Sequence, residues 1–264
     1  MSIELPRSVP IISHEILDLL EESARLYNQP TFVQDDPISV PHRFNKAEDI
    51  EIAGFYSALF AWGKRTTSIR KANELMRLMD DAPYSFHMES SEAEYRRFDY
   101  FAHRTFQSVD VPFFVKGIQS LLIRYGSLER AFASQLRNHT MKDAIRSFRN
   151  EFLSIPHLPR IRKHLADPQS GSAAKRFNLY LRWMVRKDKA GVDLGIWDDV
   201  SPSQLMCPLD VHSGRVARRL GILNRRENDW DAVEEVSSSL RIIDPVDPIR
   251  FDFALFGLGI FEKF

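Results

Sequence analysis

A single cysteine, Cys207, stands among the 264 residues. One thiol makes no internal disulfide and no four-cysteine zinc or iron–sulfur site, and it fits a reducing, cytoplasmic setting. No run approaches the ~18 apolar residues of a membrane span. The first residues lack the basic-then-apolar profile of a secretory leader, so none is expected. Net charge is also missing: 36 Lys and Arg balance 36 Asp and Glu. That argues against a protein wrapped in nucleic acid, but it leaves room for a local basic face. The eight histidines are scattered without metal-ligand spacing, and Ser170-Gly171-Ser172 is no phosphate loop, because no Gly-Lys-Ser/Thr follows. Metals and cofactors are therefore not expected.

What is present is apolar mass in a helical rhythm. Hydrophobic residues make up 44% of the chain, with 19 Phe and 4 Trp, enough to exclude a disordered chain. Ser13 reads as an N-cap before Ile16, Leu19, Leu20 and Tyr27. Ile52, Phe55, Tyr56, Leu59 and Phe60 repeat as a buried helix, ended near Gly63. Further helices are expected over 67–79, in three stretches within 110–153, and over 175–185, 211–220, 229–240 and the C-terminal Phe253–Leu258 region. Asp110 and Ser127 read as caps, with Glu129 favoured in the first turn that Ser127 opens. No alternating strand pattern stands out. The expected fold is one all-α domain over 1–264, with room for two lobes meeting at a cleft.

Charge is unevenly spread. Residues 160–188 hold eight basic side chains against Asp167 and Asp188, a local charge of +6. Arg215, Arg218, Arg219, Arg225 and Arg226 follow. A solvated basic face explains such a run; so do phosphates held beside a glycine turn and a helix start. Lys175 opens the 175–185 helix, with Asn178, Arg182 and Arg186 on its face. A cation at the positive end of a helix is electrostatically misplaced, and the same field, with Arg176 adjacent, favours a free amine that could act as a nucleophile. An ordinary surface lysine is the plainer reading. Asp210 precedes another helix, where aspartate is usually an N-cap.

Asp210-Val211-His212 followed by Arg215-Val216 resembles the Asp-x-His-x-x-Arg-Val element of the helix-hairpin-helix DNA glycosylases. Pro208-Leu209-Asp210 is most similar to the archaeal 8-oxoguanine glycosylase branch. Lys175 precedes Asp210 by 35 residues, and Lys175-Arg176-Phe177-Asn178-Leu179-Tyr180-Leu181 follows a small-residue turn, as the family's hairpin lysine does. Residues 58–72 and Phe253-Ala254-Leu255-Phe256-Gly257 are weakly similar to its early helix pair and closing helix. The whole chain also resembles a bacterial family to which no activity is assigned, in which Arg182-Trp183-Met184-Val185-Arg186 and Asp193-Leu194-Gly195-Ile196-Trp197 recur.

The glycosylase resemblance implies a helix-hairpin-helix fold in two lobes around a cleft, acting in DNA base-excision repair on a damaged base. Lys175 would be the Schiff-base nucleophile of a glycosylase with lyase activity, and Asp210 the catalytic carboxylate. Gly171, Ser172, Arg176, Arg182, His212 and Arg215 would meet DNA, with helix packing as the other reading of His212. Trp62, Trp183 and Trp197 are candidates for the base slot, and core is the other reading of each. The expected partner is damaged duplex DNA, with no membrane and no obligate protein partner. The chain departs from the family pattern in three places. The hairpin's second glycine is missing. The glutamine that many members wedge into the duplex is replaced by Gly63, beside Lys64. The C-terminal iron–sulfur cysteines of one branch are absent. A catalytically silent nucleic-acid-binding module of the same fold is the alternative, and a protein-interaction scaffold with a Phe-rich surface is the third.

Overall fold

A computed structural model describes residues 12–264; the segment read for a leader lies outside them. Among the described residues twelve α-helices follow one another: α1 (His14–Tyr27), α2 (Thr31–Gln34), α3 (Ala47–Phe60), α4 (Arg65–Leu78), α5 (Pro83–Glu89), α6 (Val111–Tyr125), α7 (Leu128–Leu136), α8 (Met141–Phe152), α9 (Lys175–Val185), α10 (Val211–Arg219), α11 (Trp230–Ile243) and α12 (Asp252–Ile260). The all-α expectation holds, with one exception. Ala102–His103 (β1) and Phe106–Gln107 (β2) pair as an antiparallel hairpin. Strands of two residues are too short to show alternation in a sequence.

Side-chain caps start several of the helices, at Ser13 and Ser127 as the sequence predicts. Ser13, Ser127, Thr140 and Asp229 each accept an N–H three residues on, opening α1, α7, α8 and α11. Each such cap is worth about 1 kcal/mol. Asp110 behaves differently from its expected role as the cap of α6. Its side chain makes no cap bond to that helix; it lies fully buried against Arg160 and His164 and accepts from the Gln107 N–H.

The buried apolar residues, from Leu20 in α1 to Leu258 in α12, form one connected cluster. At its centre α3 is buried on nearly every face and packs on α4, α5 and α9. Gly54 permits the closest approach: a Cβ there would lie 2.6 Å from Met184 Cε of α9. Even the acidic Glu51 of α3 is enclosed, accepting the Leu128 and Glu129 N–H groups at the start of α7 and the Trp197 indole N–H. On the other side, α12 packs against α1 and α10. The opening between α9, α10, α12 and the α3–α4 turn is where the candidate residues meet.

Among the described residues no helix is long and apolar enough to cross a membrane. No group of three or more His, Cys, Asp or Glu among them is placed to hold a metal ion.

Candidate active site

Lys175 is presented by an unusual turn. Gly171 (φ +84°) and Ala174 (φ +46°) both adopt left-handed backbone, the second directly before the lysine. Ala174 is thus held in a conformation that costs a non-glycine residue about 1–2 kcal/mol. The surroundings over-determine it. Ser172 Oγ accepts from the Ala174 N–H, Asn178 Nδ2 donates to the Ala173 carbonyl, and the Trp230 N–H donates to the Gly171 carbonyl. Ser172 also pairs with Asp229 at the start of α11.

Asp210 divides its carboxylate between two tasks. Oδ1 accepts the N–H groups of His212 (2.8 Å) and Ser213 (3.0 Å), the N-cap expected of it. Oδ2 accepts from Lys175 Nζ at 2.7 Å. Burial works to raise the carboxyl, but the Lys175 charge and these hydrogen bonds outweigh it and hold Asp210 below the ordinary carboxylate range. It is therefore an anion at neutral pH. The lysine side chain keeps 34% of its surface exposed and the aspartate 16%, so the pair is enclosed but reachable.

Both residues line a cavity of about 220 Å³. That is below the ~300–1,000 Å³ of sites for drug-sized ligands, so it has room for one small ring system. Leu179 and Phe256 line it with Trp62, and the carboxyls of Asp36 and Asp252 face it. Burial pushes both carboxyls up, against the pull of Arg182. Cys207 lies under Asp252, fully buried, and burial pushes its thiol up, which leaves it inert.

The cavity wall also includes His212, whose Nδ1 is buried without a partner among the described residues. Of the three candidate tryptophans only Trp62 is there, 36% exposed. Trp183 and Trp197 are core residues, the latter hydrogen-bonded to Glu51, and cannot form the base slot.

The expected basic face is divided: Arg162, Lys163 and Lys187 are exposed, while Arg182 and Arg186 turn inward. Arg182 is buried between Asp193 and Asp252. Arg186 is buried among Asp188, Asp193 and Asp247. Arg176 donates to the Leu59 and His164 carbonyls, and Arg215 to those of Gly259 and Phe264 near the end of α12. Arg182 is thus enclosed in ion pairs, contrary to its expected contact with DNA, while Arg176 and the exposed Arg215 spend part of their donors on backbone carbonyls. Gly171 is exposed and Ser172 half-buried, but Ser172 Oγ is spent on the turn.

The residues that sequence reasoning missed are Asp252, Phe256, Leu179, Arg65 and Ser68, all on the cavity wall. Asp36 caps a turn at Ile38 while lining the cavity. A signal for Asp252 was its place as the first residue of an apolar helix, four residues after Pro248.

Fold and site together define an all-α protein with a lysine–aspartate pair at the wall of a small, aromatic-lined cavity. The chain belongs to the family described as protein of unknown function DUF2400, whose family model matches residues 36–261. No curated protein and no solved structure matches the chain.

Proposed function

We propose that this protein is a DNA base-excision repair glycosylase of the helix-hairpin-helix type, with Schiff-base lyase activity, acting on a damaged base flipped from a duplex. One observation carries the reading: Lys175 Nζ lies 2.7 Å from Asp210 Oδ2 on the wall of a cavity sized for one ring system. These are the two residues that the sequence resemblance singles out, and chain separation alone did not require them to meet.

The chemistry follows from the pair. Lys175 loses a proton, for which Asp210 is the adjacent acceptor, and its nitrogen attacks C1′ of the flipped nucleotide. The N–C1′ bond forms as the glycosidic C1′–N bond breaks. The bonding pair departs with the base, which takes up a proton. Asp210 passes the lysine proton to the departing base and, an anion again, stabilises the positive charge that develops on the sugar. The second amine proton passes to O4′ as the sugar ring opens, which leaves the protonated Schiff base.

Asp210→Asn separates catalysis from capping, because asparagine caps helices as well as aspartate does. Base release should fall about 10²–10³-fold, while thermal unfolding stays near that of the wild type. Borohydride should trap the wild type on damaged duplex and fail with Lys175→Ala. Absence of base release and trapping across oxidised, deaminated and alkylated bases would contradict the proposal.

The silent binding module keeps one supporting observation. With Oδ1 on α10 and Oδ2 on Lys175, Asp210 is also a structural tie between α9 and α10. That reading expects DNA binding without base release, unchanged by Asp210→Asn.

A further inference from the structure

Two arginines flank the cavity without an ion pair among the described residues, although the buried Asp36 carboxyl lies within charge range of Arg65. Arg65 opens α4, and its guanidinium lies 5.4 Å from the Phe256 ring and 5.9 Å from that of Phe261. Arg104, at the tip of the β1–β2 hairpin, lies 4.1 Å over the Trp62 indole. Rings rather than carboxylates seat both, unlike Arg97, Arg160, Arg182, Arg186, Arg225 and Arg250, each ion-paired. Stacking on a ring orients a guanidinium and leaves its N–H donors free.

The backbone is shaped around this arrangement. Arg104 sits at φ +55° and Gly63 at φ +92°. A Cβ at position 63 would press on Arg104 Nη1. Gly63 and Trp62 thus leave the space that the Arg104 head occupies. Directly after them, α4 begins at Lys64 without a side-chain cap and with no acid in its first turn. Its positive end faces the mouth beside the arginines. One turn in, Ser68 is 1% exposed, and its Oγ has no partner among the described residues although the residue lines the cavity.

We propose that this rim is a phosphodiester seat: Arg104 and Arg65, with the start of α4 and Ser68, hold a backbone phosphate of the strand whose base enters the cavity. The inference rests on the proposed DNA reading and assigns strand binding to residues outside the 160–188 basic segment. It adds strand contacts to a site where Arg182, an expected DNA contact, is buried in ion pairs.

The test is fluorescence anisotropy of wild type, Arg104→Ala and Arg65→Ala with a labelled duplex carrying a tetrahydrofuran abasic site, titrated between about 50 and 200 mM salt. Each variant should bind more weakly, with its slope of log affinity against log salt reduced by about 0.9, one phosphate contact. Arg104 is exposed, so its thermal unfolding should match the wild type, a check that the protein is intact. Wild-type binding with unchanged affinity and slope in both variants would overturn this inference and leave the glycosylase reading standing. No salt-dependent binding by the wild type would overturn both.

Discussion

At the residue scale, function and stability depend on a few enclosed ionisable groups. His87 is fully buried, with Nε2 against the Tyr56 hydroxyl and Nδ1 against the Pro83 carbonyl. Burial pulls its imidazole from 6.5 down to about 4. The folded state therefore binds this proton less readily than the unfolded chain. Its stabilising share is complete above pH 6.5 and is lost as pH falls to about 4; at 1.36 kcal/mol per unit that is about 3 kcal/mol. Glu51 works in the other direction: burial raises it from 4.5 to about 6, so its share is present below 4.5 and lost as pH rises through 6, about 2 kcal/mol. Urea unfolding across this range should show acid destabilisation smaller than the His87 share alone. NMR should find the His87 ring neutral at about pH 5; a protonated ring there would refute the assignment. Asp210 was legible as a cap from its place before a helix. Its second oxygen, turned to Lys175, was legible only through family resemblance, because no local pattern brings residues 35 apart together.

At the element scale, α9 is the clearest lesson. Its apolar stripe was readable, and Tyr180, Leu181, Met184 and Val185 are buried as the period requires. Its other face was expected to be solvated, yet Asn178, Arg182 and Arg186 are buried too. The partners that allow this, Asp247 and Asp252, lie 61 and 70 residues away, beyond the reach of helical periodicity. Asp193 sits between the two arginines, with its side chain fully enclosed. Asp193→Ala should leave buried guanidinium charge uncompensated and cost about 3 kcal/mol or more, a large share of the ~5–15 kcal/mol of an ordinary domain. Denaturant unfolding measures it; a loss below ~1 kcal/mol, the scale of an exposed pair, would contradict the account of α9. The hairpin that carries Arg104 escaped the sequence because its strands have two residues each.

At the scale of the whole molecule, 36 basic and 36 acidic residues cancel, and Arg182 and Arg186 are paired internally while Arg162, Lys163 and Lys187 of the same segment stay exposed. The proposed function places the reacting groups at the cavity and its rim. The twelve helices share one core, and their packing brings the α3–α4 turn, α9, α10 and α12 to the same opening. Helix content was legible in period and caps; that convergence was not, since it depends on contacts between distant segments such as α1 with α12. The central claim is that this opening holds an amine that reacts with a nucleotide sugar. The direct measurement is peptide mass mapping of wild-type protein reduced with borohydride on damaged duplex. The account predicts one sugar adduct, on Lys175. An adduct confined to another lysine, or none with any class of damaged base, would contradict it.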